Sequence, residues 1–477
     1  MNDLEFGRTS YLIRDLIFGD SGKGTIGEFL TWWLDQFAPI WSKVHTVIRT
    51  EGGHQAIHNN ILPDGRHHGF SQFGSGSLTS PIWTHHAKGM MVEPLHALDE
   101  GKDLQHLGVR DIFGRLTVSR DVRIVTPFQQ AANRLREYAR GVGRHGSCGK
   151  GIGETASDAL AIGTDALYAR DLMDSAILRE KLSQIQAYKL AQLADLIYRF
   201  GDDKAISAEI DWLTNTAASS ILVAYLGEFV ERVKIVENAH IGGILSRPGS
   251  VIFEGAQGVL IDEWRGFHPY TTWSTCTFDN ALELLREHQY DGRIVRIGVV
   301  RAYATRHGAG PFMTEDPFLT NALPDTYNVT DVWQQTFRVG WFDAVAARYA
   351  IAACGQVDAL AVTCLDRMRD LSQWLICTGY ELSEDDSNAA KFFELDPQNP
   401  RIARNIRLGP HKDLVYQETL TEQLKRVKPI YEVSANAADF GQRAEQHLAR
   451  IESELGVPVA ITSYGPTVLD KRMVRPV

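Results

Sequence analysis

The sequence predicts an α/β protein built on a mainly parallel sheet, and three observations carry that prediction. Apolar runs of strand length recur at residues 11–18, 44–49, 251–262, 293–300 and 357–366 of the 477. Stretches with apolar residues at helical spacing lie between them. No internal repeat, low-complexity tract or obvious linker interrupts the alternation, which is how strands and covering helices of a parallel sheet read.

The first run leads into Gly19-Asp20-Ser21-Gly22-Lys23-Gly24, followed from Thr25 by a helical pattern of Ile26, Phe29, Leu30, Trp33, Leu34 and Phe37. A strand, a glycine-rich turn and a helix start form an anion cradle: backbone N–H groups approach the ligand and the helix end adds partial positive charge. Lys23 adds a full charge. The loop is not a Walker motif, because no glycine occupies the first position and Gly24 follows the lysine. Asp20 is the anomaly. An acid inside an anion loop either binds a metal, accepts a substrate proton, or merely caps the next helix.

The next strand, 44–49, runs into Glu51-Gly52-Gly53-His54-Gln55-Ala56-Ile57-His58-Asn59, a loop suited to close approach of a ligand. His54 and His58 would share a helical face as zinc ligands, but no HExxH or third ligand accompanies them. A proton-donor role for one loop histidine is the better reading. The doublets His67-His68 and His85-His86 read as polar loop residues. A short strand within 122–128 precedes a helix through Arg140. Six glycines then fall in residues 141–153, with Arg144, Ser147, Cys148 and Lys150, a second loop fit for phosphate or simply a flexible connection. Residues 182–200 and 210–236 read as long packing helices. Gln257 sits among small residues after a buried strand, able to read a base edge. A hydroxyl-rich loop with Thr271 and Thr272 leads to a helix at 280–287. Residues 340–343 start another helix, Asp366 follows the 357–366 strand, residues 380–411 read as a surface hairpin or insertion, and a helix at 442–455 precedes Ser463-Tyr464-Gly465-Pro466.

Composition bounds the class. The chain is 44% apolar and 23% charged, as ordinary globular proteins are. Length alone would allow two or three domains. A net charge of −10 argues against a general nucleic-acid binder. The five cysteines (148, 276, 354, 364, 377) are odd in number and scattered, which suits a reducing compartment rather than a disulfide framework or zinc site. The first ten residues contain acids and no apolar signal core, and no apolar run reaches membrane-spanning length. A cytoplasmic protein is expected, bound to neither membrane nor nucleic acid.

In order along the chain, GDSGKG, EGGHQAIH, GKGIG, VIFEGAQGVLID, HPYTT, RIGVVRAYATRHGAGPFMTE, GWFDAVAARYA, LAVTCLD, KPIYE and SYGP resemble the adenylosuccinate synthetase family from about residue 10 to the C-terminus. The resemblance implies one large domain, residues 1–477, around a mostly parallel central sheet with helical subdomains, and a homodimer. It implies an NTP-dependent ligase with Mg²⁺. The 6-oxygen of a purine nucleotide (IMP, or GMP/dGMP) is phosphorylated by GTP or ATP. An amine, L-aspartate foremost, then displaces the phosphate to give a succinyl-purine nucleotide. By the same resemblance, Asp20 removes the N1 proton and ligates Mg²⁺ with the Ile57 carbonyl, and His58 stabilises the moving phosphoryl group. Lys23 and Gln257 complete the catalytic set. Gln55, Ser147, Cys148, Lys150, Thr272, Arg306 and Arg338 would hold the nucleotide or the amine. Gly19, Ser21, Gly22, Gly24, Thr25, Asp366, Ser463 and Gly465 would hold the triphosphate donor.

The departures from the family pattern are specific. Cys364 stands where the family's base-recognition lysine stands, leaving the donor open between GTP and ATP or dATP. Cys148 replaces a threonine, Gln55 an asparagine, and Ile57 a glycine. Ile162 falls near the arginine that the family lends across its dimer. The arginine-rich aspartate loop reads Thr330-Asp331-Val332-Trp333-Gln334-Gln335-Thr336-Phe337-Arg338 here, with Arg338 alone obvious and Arg306 nearby. Two carboxylates call for guanidinium partners, so the activating half reads as intact and the amine half as rebuilt. The alternatives are the same activation with another amine or substrate, and a nucleotide-binding sensor that has lost ligation.

Overall fold

Strand β1 (Arg8–Asp15) is buried from Ser10 onwards, because its apolar side chains alternate between two covered faces. Leu12 joins the core on one face, and Tyr11 and Ile13 join the core on the other. The structure, a computed structural model, describes residues 7–144, 146–325, 327–328, 336–383 and 388–477. β1 pairs in parallel with Gly249–Gly258 on one side and Arg293–Arg301 on the other. The ten-stranded sheet continues past Gly249–Gly258 through β2 (Val44–Arg49), Trp83–His86, Leu116–Ser119 and Lys234–Val236. On the far side it continues through Ala359–Thr363, Val459–Ser463 and the edge strand Lys471–Met473. Only that edge strand pairs antiparallel.

Helix α1 (Lys23–Phe37) starts two residues before the expected Thr25, because Gly22 at φ 86° turns the chain straight into it. Its Ile26, Phe29 and Leu30 are fully buried against the Tyr11/Ile13 face. The helices Pro127–Arg140, Ser175–Phe200, Ser207–Thr214 and Ala218–Arg232 form a separate apolar cluster at the far end of the sheet. Four sequence expectations change here. The 210–236 pattern is two helices and a strand, broken at Asn215 and closed by Lys234–Val236. The 182–200 helix starts at Ser175, where the Asp174 side chain caps it. Within 122–128 only Arg123–Ile124 is a strand, since Pro127 opens the next helix with Thr126 as its cap. Both histidine doublets lie on strands, His67–Phe70 and Trp83–His86, and His68, His85 and His86 are buried.

A five-stranded sheet contains Phe342–Asp343, Trp374–Glu381, Phe393–Leu395, Ile402–Ile406 and Lys428–Ala435. Within 380–411 the strands Phe393–Leu395 and Ile402–Ile406 form a hairpin that buries Phe392, Phe393, Ala403 and Ile406. Residues 384–387 of that stretch lie outside the described ones. No helix among the described residues is long and apolar enough to cross a membrane.

Candidate active site

The C-terminal ends of the central strands open onto one cavity, at the point where the connections from β1 diverge to either side. It has a volume of about 370 Å³, and its lining includes Gly19, Asp20, Lys23 and His58. The loop after β1 is shaped by Asp15, whose carboxylate accepts from the backbone N–H groups of Ile17 (2.8 Å), Gly19 (3.2 Å) and Ser21 (2.6 Å). Further bonds tie the loop to neighbouring strands. Arg301 Nε donates to the Asp20 carbonyl at 2.7 Å, and the Thr363 hydroxyl donates to the Ser21 carbonyl at 2.7 Å.

Asp20 and Lys23 then face the same space. The Asp20 carboxylate accepts no hydrogen bond from the described residues. Burial raises its pKa, opposed by the Arg301 and Lys23 charges. Lys23 donates to the Gly19 carbonyl at 2.7 Å, and burial lowers its pKa against the pull of Asp15 and Asp20. A carboxylate without a protein donor, in a cavity that Ile57 also lines, is a fit for a hard cation, which takes oxygen ligands. Asp20 is therefore not a helix cap, and no side chain caps α1.

His58 opens the strand His58–Ile61, and its Nδ1 meets a Glu254 carboxylate oxygen. Glu254 also accepts from the Ser75 backbone N–H (3.1 Å) and hydroxyl (3.0 Å), and Arg49 lies 3.6 Å away. Burial pushes the His58 pKa down to about 4 despite Glu254. The imidazole is thus neutral at rest, with Nδ1–H assigned to the carboxylate and a buried Nε2 that has no partner. Gly24 permits this approach, since a Cβ there would stand 2.3 Å from the His58 Cβ. Glu254 lies inside the VIFEGAQGVLID match, but no role was expected of it, since its partner His58 is 196 residues away. Arg301, likewise, is a charge at the end of a buried strand.

The remaining expected residues fall into three groups. Thr25, Ile57, Asp366, Ser463 and Gly465 line the same cavity, as do Gly22 and Gly24. Ser21 lies buried behind the loop. Cys364, at φ 59°, stands beside Asp366, whose pKa burial raises against a bond from its own backbone N–H. Gln257 and Gln55 form the second group, and neither side-chain amide has a partner. They meet through the paired glycines: a Cβ on Gly52 would lie 3.1 Å from Gln257 Oε1, and one on Gly53 3.1 Å from Gln55 Oε1. Ile152, at the start of helix Ile152–Ile162, touches the same turn, so the Ser147–Lys150 loop adjoins it. Ser147 donates to Asn133 Oδ1 at 2.9 Å, and the charge of Lys150 acts on His54 and Glu93. Thr272 lines a separate cavity.

The third group is bound to the protein itself. Arg306 and Arg338 lie directly opposite in an antiparallel ladder, yet neither lines the main cavity. Arg306 donates to the Ala309 (3.0 Å) and Pro311 (2.6 Å) carbonyls and lies 4.3 Å above the Phe18 ring. Arg338 pairs with Glu315 at 2.7 Å and donates to the Gly308 carbonyl at 2.6 Å. Residues 330–335 of the rebuilt loop lie outside the described ones. The His54 ring lies tilted 5.3 Å from that of His96, and no cluster of three metal-binding side chains occurs among the described residues.

A parallel sheet with a glycine loop at its switch point, and a cavity holding an acid, a lysine and a histidine, defines a nucleotide-using α/β enzyme. The family model for adenylosuccinate synthetase matches residues 13–471, and the chain belongs to that family of C–N ligases. Similar proteins include the adenylosuccinate synthetases of Neisseria gonorrhoeae (strain ATCC 700825 / FA 1090), 30% identical over 463 residues, and of Neisseria meningitidis serogroup B, 29% over 461. Each alignment covers 94% of both chains. Among solved structures, the fully ligated adenylosuccinate synthetase of Plasmodium falciparum matches with TM-score 0.74 at 18% identity, covering 98% of this chain and 99% of that one. Cyanophage S-2L succinoaminodeoxyadenylate synthetase, bound to dGMP and dATP as an energy donor, matches with TM-score 0.59 at 16% identity, covering 98% and 96%. Both establish a shared fold.

Proposed function

We propose that this chain phosphorylates the 6-oxo group of a purine nucleotide, IMP or GMP/dGMP, with GTP or ATP, and joins an amine, L-aspartate foremost, in place of that phosphate. One observation carries the reading: the donor-free Asp20 carboxylate, the Lys23 ammonium and the unpartnered His58 Nε2 share a single cavity. Asp20 takes the N1 proton, which leaves the 6-oxygen nucleophilic. Lys23 holds the transferred phosphate oxygens, and positioning with charge supplies most of such a transfer. The arriving phosphate charge, added to Glu254, favours the imidazolium form of His58, which takes its proton from solvent as the nucleotides bind; its Nε2–H then donates to the transferring group. Gln257 and Gln55 have free amides for the purine nucleotide, and the Asp366 carboxylate, on the cavity wall, would read the donor base. Asp20 and the Ile57 carbonyl would hold Mg²⁺, which supplies charge neutralisation for the triphosphate.

A second reading keeps this activation and changes the amine. The engagement of Arg306 and Arg338 with protein acceptors favours it, because free aspartate needs available guanidinium groups. The test is a matrix of IMP, GMP and dGMP against ATP and GTP with Mg²⁺, with and without aspartate, reading product mass and released phosphate. An aspartate-dependent adduct supports the first reading. Phosphate release without an adduct supports the second, and no release under any pairing removes both.

A further inference from the structure

A purine base in a pocket needs a polar group to read its edge and a flat surface to cover its face. Under the function proposed above, Asp366 supplies the first in the main cavity. Cys364 beside it is too short to supply the second. Ile57, Ile61 and Pro466 give that cavity aliphatic surface, and two tyrosines give it phenol rings. Tyr303 is 3% exposed, and its hydroxyl accepts from Arg301 at 3.1 Å. Tyr327 is the opposite case: it is 46% exposed, and its hydroxyl bonds to no described residue. Its ring stacks on that of His67, with centroids 4.8 Å apart and planes 27° from parallel. His67 is itself aimed by Asn59, whose Oδ1 lies 2.9 Å from the imidazole Nε2. A ring backed on one face and lining the cavity leaves its other face for a ligand. A base–aromatic stack fits any purine there, because every base has a π-face.

The chain around Tyr327 is tied to two sides of the cavity. Asp325 Oδ1 accepts from the backbone N–H groups of Tyr327 and Asn328, each at 3.0 Å. Asp325 Oδ2 accepts from Arg301 at 3.1 Å, and Arg301 in turn holds the Asp20 carbonyl. Arg367, next to Asp366, donates to the Pro324 carbonyl. Tyr327 thus stands between the Asp366 side and the His58–Ile61 strand, whose hairpin partner carries His67. We propose that Tyr327, backed by His67, is the stacking platform for the purine base of the triphosphate donor. The assignment rests on the function proposed above and adds to it the residue that covers the base. Stacking is blind to the base edge, so the platform sets affinity for ATP and GTP alike and leaves the choice between them to the groups around Asp366.

The experiment titrates ATP, GTP, inorganic tripolyphosphate and IMP, each with Mg²⁺, by calorimetry against the wild type, Tyr327→Leu, Tyr327→Phe and His67→Ala. Tyr327→Leu is expected to weaken ATP and GTP about tenfold each, the scale of one base–aromatic stack, with tripolyphosphate and IMP unmoved. Tyr327→Phe keeps the ring and should bind as the wild type does, and His67→Ala should show part of the loss. ATP and GTP unmoved in Tyr327→Leu overturns the platform. So does an equal loss of tripolyphosphate, which would mean that the ring supports the phosphate loop rather than a base. A loss of IMP alone overturns the assignment to the donor. The platform and the ligase reading fail separately. Normal turnover with unmoved ATP and GTP affinity in Tyr327→Leu removes only the platform. The expected losses, in a protein that phosphorylates no purine, keep the platform and remove the ligase reading.

Discussion

At the scale of single residues, the site depends on groups kept without protein partners. Asp20→Asn removes the base with little change of shape, and turnover is expected to fall by about 10²–10⁴-fold. The thermal midpoint should stay near the wild type, because no described group bonds that carboxylate. Unchanged turnover would end the mechanism. Burial raises the Asp20 pKa, so the base is lost by protonation above the usual carboxylate range of about 4. The acid limb of the kcat/KM profile should accordingly lie higher than an exposed aspartate would place it, and a limb at or below that range would contradict the role. Gly24→Ala sets a methyl into His58, whose Cβ would be 2.3 Å away. It should lower turnover more than triphosphate affinity, and parallel loss of both would mean that the whole loop had moved. Cys364→Lys places a cation beside Asp366, and the GTP-over-ATP preference is expected to rise in initial-rate competition; an unmoved ratio would dissociate that position from base choice.

At the scale of elements, the same strands that were legible in the sequence position the chemistry. The apolar run 11–18, the glycine loop and the 3.6-residue pattern after it needed only local physics, and strand, loop and helix follow in that order, with the strand at Arg8–Asp15 and the helix from Lys23. The histidine doublets were misread because tertiary pairing decided their environment. His86 bonds the Gln72 carbonyl and His85 the Thr117 hydroxyl, partners 14 and 32 residues away that no local pattern reports. Arg306 and Arg338 were legible as a pair, but their acceptors Pro311 and Glu315 were not. Glu254 likewise became visible only when the sheet brought it to His58 across 196 residues. Helix α1 carries a further case in Glu28, fully buried, with both carboxylate oxygens unpartnered. Burial pushes its pKa up to about 7, against the pull of Lys471. A carboxyl raised in the folded state holds a proton that the unfolded chain releases, so its contribution to stability falls as pH rises from about 4.5 to about 7 and is constant above. Glu28→Leu should remove that dependence, gaining on the order of 2–3 kcal/mol at pH 8 relative to pH 5 in urea unfolding. A gain equal at both pH values would show that Glu28 is ionised in the fold.

At the scale of the whole molecule, the main cavity is walled by parts of the chain that lie far apart in sequence. Its wall includes residues from five segments, 19–25, 57–61, 301–303, 363–367 and 463–466, along with Asp325, Tyr327 and Asn328, and the Thr25 hydroxyl reaches the Pro466 carbonyl at 3.4 Å across 441 positions. A ligand that touches all five segments binds the folded sheet and not the unfolded chain, so it stabilises by mass action. At one hundred times its dissociation constant the gain is about 2.7 kcal/mol. GTP or ATP with Mg²⁺ is therefore expected to raise the thermal midpoint, and hydrogen exchange should slow in the five segments together. The segments are separately anchored, by Asp15 to the loop after β1 and by Lys471 to the carbonyls of Pro466 and Thr467. Simultaneous protection would thus report one ligand spanning them rather than one strand stiffening. Protection confined to residues 19–25 would instead mean that only the phosphates are held. Asp366 would then have no role in reading the base, and the donor would be chosen by its triphosphate alone.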